Sequence, residues 1–593
     1  MPDVALARTR LAASGSMTAA LPYFALLLAA LALPLAGQEY WTVIATRAAI
    51  YWVLVSGLNL VVGFAGQLAI GYVALLTLGA YTASVLVERA GLHPFLALAA
   101  AAVVGAAAGV VVGLPALRLR TFYFAMTTLG FATIVTQVAL AWTGVTGGGI
   151  GVPGPALAAP FDTAHGFYLL CVALAAACTW MTLNAANSRF GRSLVAIRDA
   201  EVAAEACGVA KARLLMLVFL FSGALAGIAG GLFATLQSYI TPDAFTFDLS
   251  VLFFIAILIG GRGSVLGPLL ATLLLTALPE FAAPLVAWST FLYAALLLAI
   301  VLLVPGGIAD VLDFRNRRAL PSGRAVVPRT QLLLALLSRG VGRDALTLRG
   351  ITLSFGAVRA IDGLDLDLRP GEVHGLIGPN GSGKTTTLNA ICGFAVPQSG
   401  TVRVGGTTLP MGAAPRRAAA GIGRTFQTPR IVGEASVIDN VMIGGTILGR
   451  ATLLETLLTL PRHRREEAAL RDRAMAALRV VGLEALAAVR ADRLQHSELR
   501  FVETARALMP TPRFLLLDEP AAGLSAIEIE RLGQLVIAIS RQGIGVLLVE
   551  HHADLIFAVC DRVTVLNLGK VLATGTPAEI QAHRDVVEAY LGR

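Results

Sequence analysis

Charge is what this sequence has least of. Only 14% of its 593 residues are Asp, Glu, Lys or Arg, against 56% hydrophobic, and the mean hydropathy is +0.75. That balance excludes both an ordinary soluble domain and an intrinsically disordered chain. Cysteine is equally sparse: Cys171, Cys178, Cys207, Cys392 and Cys560 form neither close pairs nor metal-ligand spacings. A disulfide scaffold and a zinc module are thereby excluded, and reduced, structural thiols are expected. Acidic residues are outnumbered, giving a net charge of +9 and a pI near 9.6. An excess of that sign can mark a nucleic-acid binder, yet no nucleic-acid motif accompanies it. The arginines gather instead in segments between apolar runs, where anionic headgroups attract them, so membrane lipid is an expected partner and nucleic acid is not.

Membrane-length apolar sequence takes the place of charge. Between residues 21 and 304, runs of about twenty apolar residues recur, most of them long enough to cross a hydrocarbon core of about 30 Å as a helix. About ten spans are expected, beginning near Leu21, Ala45, Gln67, Pro94, Thr121, Gly166, Arg213, Phe247, Val265 and Ser289. Arg8, Arg10, Arg118, Arg120, Arg189, Arg192, Arg198, Lys211, Arg213, Arg262, Arg315, Arg317 and Arg318 then all fall on one side, which the positive-inside rule makes the cytoplasm. The run 21–37, behind Arg8 and Arg10, also reads as a cleaved signal. Gly63, Gly66, Gly71, Gly79, Gly223, Gly227, Gly230 and Gly231 allow close helix approach. Asn59, Gln67, Gln137 and Gln237 are polar within or beside spans, and such amides either bond across helices or line a passage. No span carries a pair of central charges, so a rather uncharged pathway is expected.

Residues 305–344 are basic and turn-rich, with Pro305-Gly306-Gly307, Pro321-Ser322-Gly323 and Pro328. They read as a linker in which 332–337 forms part of a short surface helix. Beyond them, strand-like runs alternate with helical patterns, the signature of an α/β domain around a largely parallel sheet. The expected order is a cytoplasmic segment 1–20, a multi-span α-helical membrane domain 21–304, a linker 305–344 and an α/β P-loop domain 345–593.

In that last domain Gly378-Pro379-Asn380-Gly381-Ser382-Gly383-Lys384-Thr385-Thr386 follows a strand-like run and precedes a helix-like one. The glycines let successive backbone N–H groups wrap a polyphosphate, and the helix N-terminus faces the anion. Lys384 reaches the outer phosphates and Thr385 offers its hydroxyl to Mg²⁺, so ATP with Mg²⁺ is the expected ligand. Further on, Phe514-Leu515-Leu516-Leu517-Asp518-Glu519-Pro520 reads as a buried strand that delivers two carboxylates at its end. Asp518 is placed to hold Mg²⁺ through water and Glu519 to polarise the attacking water.

The stretches GPNGSGKTT, FLLLDEPAAGL and VEHH resemble the ATP-binding domain of ABC transporters. That resemblance implies that Gln427, in GIGRTFQTPR, senses Mg²⁺ and contacts the membrane domain. It makes His551 the switch histidine near the γ-phosphate, in preference to His552, and Phe355, in LSFGAVRA, the aromatic on which adenine stacks. Residues 521–525 correspond to the loop that joins two ATPase domains. The membrane half resembles the permease subunits of branched-chain amino acid (Liv-type) importers. The matching stretches are NLVVGFAGQLAIGYVALLTLGAYTA from Asn59, PALRLRTFYFAMTTLGFATI from Pro115, SRFGRSLVAIRDAEVAAEACGV from Ser188 and LIGGRGSVLGPLLATLLLTALPE from Leu258. A LivM-like permease thus appears fused to a LivG-like ATPase, components that such systems usually keep on separate chains.

The resemblance implies ATP-driven import of branched-chain or related small amphipathic amino acids across a bacterial inner membrane, with the ATPase domain in the cytoplasm. It also implies a second permease subunit, a second ATPase subunit and a periplasmic or lipid-anchored solute-binding protein. Residues 188–208 carry Arg192, Arg198, Asp199, Glu201 and Glu205 with the Ala/Gly spacing of a short amphipathic helix capped near Gly208. By resemblance this is the coupling helix, docking beside Gln427. One departure stands out: where the family has a signature near LSGGQ, this chain has Leu494-Gln495-His496-Ser497-Glu498. The site built from Lys384, Asp518 and Glu519 with a partner's signature is then expected to hydrolyse ATP, and the opposite site to be impaired. An ABC exporter and a nucleotide-gated scaffold with impaired hydrolysis are the competing readings.

Overall fold

In the computed structural model the described residues are 20–281 apart from 120, scattered positions between 288 and 303, then 306–312, 326–337 and 344–591. Contacts divide the chain into two units, one of Met1–Asn187 with Ala212–Arg315 and one of Ser188–Lys211 with Asn316–Arg593.

The main helices up to residue 281 are, in chain order, α1 (Ala20–Leu35), α2 (Glu39–Phe64, ending in a π-helical turn), α3 (Val73–Ala90), α4 (Pro94–Ala116), α5 (Thr121–Ala141), α6 (Ala164–Ala186), α7 (Arg189–Ala206), α8 (Lys211–Gln237), α9 (Phe247–Gly260) and α10 (Leu266–Phe281). All but α7 belong to the first unit, α8 starting one residue outside it. Among the described residues, seven helices are long and apolar enough to cross a membrane, α9 when counted with the turn that precedes it from Pro242, and α1 and α10 are shorter apolar ones. The span expected near Gln67 begins instead at Val73; Gly66, at φ +69, follows the end of α2, and residues 66–71 form no regular element. The span expected from Ser289 lies largely outside the described residues.

Close approach in this unit is made by missing side chains. Gly79 of α3 lies against Gly227 of α8, and Gly105 and Gly109 of α4 lie against Gly223 and Phe219 of α8. A Cβ at any of these glycines would overlap opposing backbone. Van der Waals contact between backbones is what holds helices together where lipid offers no hydrophobic drive. Asn59 is fully buried and donates to the Ser264 carbonyl (2.7 Å), a bond between segments, whereas Gln137 and Gln237 are exposed.

The second unit contains two sheets. Their strands are β1 (Leu346–Phe355), β2 (Val358–Leu368), β3 (Val373–Ile377), β4 (Ser399–Val404), β5 (Thr407–Thr408), β6 (Ile422–Arg424), β7 (Phe514–Asp518), β8 (Gly545–Val549), β9 (Arg562–Asn567) and β10 (Lys570–Gly575). A six-stranded sheet runs β10-β9-β3-β8-β7-β6, parallel except for its β9–β10 edge, and a four-stranded antiparallel sheet runs β2-β1-β4-β5. Both faces of the larger sheet are covered, so its strands are continuously apolar. Along β7, Leu515 and Leu517 enter one core cluster and Phe514 and Leu516 the other, as the two-residue strand period requires. The helices that matter below are α11 (Lys384–Cys392), α12 (Ala414–Ala419), α13 (Val437–Gly444), α14 (Pro461–Val480), α15 (His496–Leu508), α16 (Ala526–Ser540) and α17 (Ala553–Val559).

The stretch expected to be a surface helix forms a single short turn, Leu333–Leu336, with one face buried and Leu334 left exposed. Val326, Leu333, Leu336 and Leu337 join the main core cluster, each 5% exposed or less. The Arg329 N–H donates to the Val480 carbonyl at the end of α14 (2.7 Å), and Arg531 of α16 donates to the Val326 carbonyl (2.9 Å). The run 332–337 is five leucines and an alanine, and packing against α14 and α16 takes Leu333, Leu336 and Leu337 out of water while Leu334 and Ala335 stay exposed.

Candidate nucleotide site

Two strand ends and one glycine loop build the site. β3 is buried along its length, and Gly378, Gly381 and Gly383 then adopt φ +151, +81 and +104 before α11 begins at Lys384. Side chains rarely adopt that backbone, and a Cβ at Gly378 would also overlap the Leu566 carbonyl. Pro379, Asn380 and Ser382 complete the turn, with Thr385 and Thr386 in the first turn of α11. Asn380, Gly381 and Thr385 are exposed, while Ser382 and Lys384 are buried. Lys384 Nζ donates to the carbonyls of Gly378 (2.7 Å) and Pro379 (3.0 Å), folded over its own loop. Burial pulls the Lys384 ammonium below its ordinary pKa, and the Glu519 and Asp518 carboxylates partly offset this.

β7 delivers Asp518, which is 2% exposed, and then Glu519. Arg424, at the end of β6, donates from Nη2 to Asp518 Oδ2 (3.1 Å). Burial pushes the Asp518 carboxyl above its ordinary pKa, while the Arg424 guanidinium and the Thr385 hydroxyl pull it down. Asp518 Oδ1 is buried without a hydrogen-bond partner. A hydroxyl at Thr385, a carboxylate at Asp518 and the amide of Gln427 supply hard oxygen donors, so the residues present fit Mg²⁺.

Glu519 stands at φ +48, a left-handed conformation uncommon outside glycine. Its Oε2 accepts from Gln427 Nε2 (2.8 Å), and its Oε1 lies 2.8 Å from His551 Nε2. The fold thus brings together Glu519, Gln427 and His551, which the sequence places far apart. His552 occupies the N-cap position of α17. Phe355, at the end of β1, is 58% exposed and outside the core clusters.

Four charged residues that the sequence reading passed over hold this arrangement. Arg500 of α15 donates from Nη1 to the Phe426 carbonyl (2.8 Å) and from Nη2 to that of Gln427. Glu503 accepts from the N–H groups of Phe426 (3.3 Å) and Arg430 (3.2 Å). Glu550 accepts from those of Ala521 (2.6 Å) and His551 (3.1 Å), tying loop 521–525 to the histidine turn. Burial raises the Glu503 and Glu550 carboxyls above their ordinary pKa. Arg424 is the fourth. The available signal was the spacing of Arg500, Glu503 and Arg506, which puts charge on the apolar face of α15.

Residues 188–208 belong to this unit. Ser188 caps α7 by accepting from the Phe190 N–H (3.1 Å), but the expected single helix is broken at Ala200 (φ −146, ψ 57). Ala200 and Ala203 pack there against Phe426, the neighbour of Gln427. Arg192 pairs with Glu467 (2.6 Å) and Arg198 with Glu434 (2.8 Å), while Gly208 at φ +86 passes so close to Ile447 that a Cβ would overlap it. In the departing segment, Gln495 caps α15 with its side chain on the Glu498 N–H, and Glu498 accepts from the Gln495 N–H (2.9 Å).

A phosphate loop after a central strand, acids at the end of the next-but-one strand and a glutamine–histidine pair converging on them define an ATPase of the ATP-binding-cassette type. This one is carried on the same chain as a multi-span membrane unit. Residues 40–304 match the family described as branched-chain amino acid transport system / permease component, 361–522 match ABC transporter, and 570–593 match branched-chain amino acid ATP-binding cassette transporter. The high-affinity branched-chain amino acid transport ATP-binding protein LivG of Escherichia coli (strain K12) is 37% identical over 253 residues, 42% of this chain and 99% of that protein. BraF of Pseudomonas aeruginosa, which bears the same description, is 36% identical over 253 residues, 42% of this chain and 99% of that protein. Among solved structures, an ATP-binding cassette of an ABC transporter in its ADP conformation is 30% identical, covering 42% of this chain and 100% of that one, with a TM-score of 0.38. The chain belongs to the branched-chain amino acid ABC transporter family, with permease and ATPase components on one polypeptide.

Proposed function

We propose that this chain imports branched-chain or related small amphipathic amino acids across the bacterial inner membrane, driven by ATP hydrolysis in the cytoplasm. The observation that carries this is the meeting of Glu519, Gln427 and His551 beside the phosphate loop, one residue away from the Phe426 seat of segment 188–208. Residues 21–304 form the permease, 305–344 the connection and 345–593 the ATPase. Phe355 stacks on adenine, and Gly378 to Thr386 wrap the phosphates with Lys384 on the outer ones. Thr385, Asp518 and Gln427 would hold Mg²⁺, which would supply charge neutralisation on the phosphates. Glu519 orients and polarises the attacking water, and His551 fixes Glu519 and meets the γ-phosphate. The likeness to transport ATP-binding proteins of importers favours import over export.

One chain supplies one permease and one ATPase, so the working unit includes a second permease subunit, a second ATPase subunit and a periplasmic or lipid-anchored solute-binding protein. In proteoliposomes containing that complex, loaded binding protein is expected to raise ATP turnover and labelled leucine to accumulate. Glu519→Gln is expected to lower turnover about a hundredfold or more. Turnover indifferent to loaded binding protein would overturn the import reading.

A further inference from the structure

Arg424 touches two regions that the mechanism has to connect. Its side chain is 2% exposed and sits between the Asp518 carboxylate (3.1 Å) and Asn389 Oδ1 (2.6 Å). On its other side the guanidinium carbon lies 5.0 Å from the centre of the Phe426 ring and 5.8 Å from that of Phe394. Phe426 in turn packs on Ala200 and Ala203, where the docked segment breaks, with Phe394 against the same cluster. A continuous line of contacts therefore runs from Asp518 through one planar cation and one aromatic ring to the break in α7.

The ion pair and the ring contacts share the same group. Both are strong here because water is excluded, and a guanidinium, unlike an ammonium, engages a carboxylate and aromatic faces at once. A change in the field at Asp518 therefore acts on the group that packs against Phe426. We propose that Arg424 is a positioning residue that conveys the electrostatic state of the Asp518 carboxylate through Phe426 to residues 200–203, coupling nucleotide events to the docked segment. This rests on the import reading above, and it differs from a merely structural ion pair in what it does to the ratio of transport to hydrolysis.

Two measurements on the full chain in its reconstituted complex test it. The first is solute taken up per ATP hydrolysed. Arg424→Lys keeps the charge and loses the planar stack, so the ratio is expected to fall about fivefold or more. Phe426→Leu, with Arg424 intact, is expected to lower it similarly, and the double variant to be no worse than either single one. A structural ion pair predicts that uptake and turnover fall together, so an unchanged ratio in either variant, or effects that multiply, overturns the proposal. The second measurement needs no transport. Cys207, at the end of the docked segment, is partly exposed while Cys171, Cys178, Cys392 and Cys560 are buried. Its labelling rate by a maleimide, resolved by mass spectrometry, is expected to change about threefold or more on adding magnesium-ATP to the wild type and not in Arg424→Lys. A wild type without this response, or a Lys variant that retains it, overturns the proposal. Absent uptake with an intact labelling response would instead sink the import reading alone.

Discussion

At the residue scale, buried polar groups decide how the ATPase unit responds to its surroundings. His374 on β3 is 1% exposed, with Nδ1 3.2 Å from the Asp367 carbonyl and Nε2 2.8 Å from Thr564 Oγ1. Burial, reinforced by Arg562, lowers its pKa to about 4, while Glu372 pulls the other way. An unfolded histidine binds a proton near pH 6.5, so between that value and 4 the unfolded chain holds a proton that the folded one lacks. Stability is therefore complete above about pH 6.5 and is lost as the pH falls through this window, by about 1.4 kcal/mol per unit for a single group. The apparent Tm of the ATPase transition should drop between pH 7.5 and 5. His374→Gln, which keeps a donor and an acceptor, should make that drop shallower. An equal drop in both proteins would show that other groups control the acid response. Glu519 makes the complementary point: its backbone stands at φ +48, its N–H donates to the Val549 carbonyl (2.9 Å), and its carboxylate meets Gln427 and His551. Its carboxylate could be anticipated from the strand motif, whereas the partners of that carboxylate could not, since they lie 92 and 32 positions away.

At the element scale, the leucine-rich stretch 326–337 shows what a local pattern hides. Proline and glycine on both sides mark a connection, and they do so whether the leucines between them face water or a core. Only the groove between α14 and α16, assembled from distant sequence, gives those leucines a partner. Leu333, 0% exposed, is expected to cost about 2–5 kcal/mol on replacement by Ala. Leu334, 68% exposed on the same turn, should cost little. Comparing the apparent Tm of the two variants checks this, and equal losses would refute the docked arrangement. The membrane glycines repeat the lesson. Gly79, Gly223, Gly227 and Gly230 stand out in the sequence, while Gly105 and Gly109 are masked by the alanines around them, although they make equally close approaches. Gly105→Leu is expected to separate α4 from α8 and reduce the yield of folded protein from detergent. Gly130, with nothing near its Cβ position, should accept the same change.

At the scale of the whole molecule, the chain has one phosphate loop and one signature-like segment, and the two serve different nucleotides if ATPase subunits pair across their ATP. The phosphate loop, Asp518 and Glu519 were legible because phosphate chemistry fixes residue types at short spacing. The segment Leu494 to Glu498 shows only its departure, since its counterpart lies on another polypeptide. Gln495 and Glu498 satisfy each other's backbone N–H groups, while His496 lies against Gly523 in the loop after Glu519. Side chains at 496 and 497 thus occupy the helix start where backbone N–H groups would otherwise approach an anion. In a complex with a partner ATPase subunit whose signature is intact, Glu519→Gln should remove most turnover, because on the function proposed above the competent site is the one carrying this chain's Glu519. Adding Gln495→Ser, His496→Gly and Ser497→Gly to that variant restores the signature facing the partner's phosphates, and turnover should rise about tenfold above Glu519→Gln alone. If it stays at the Glu519→Gln level, the substituted segment is not what limits the second site, and the asymmetry must be sought in the partner.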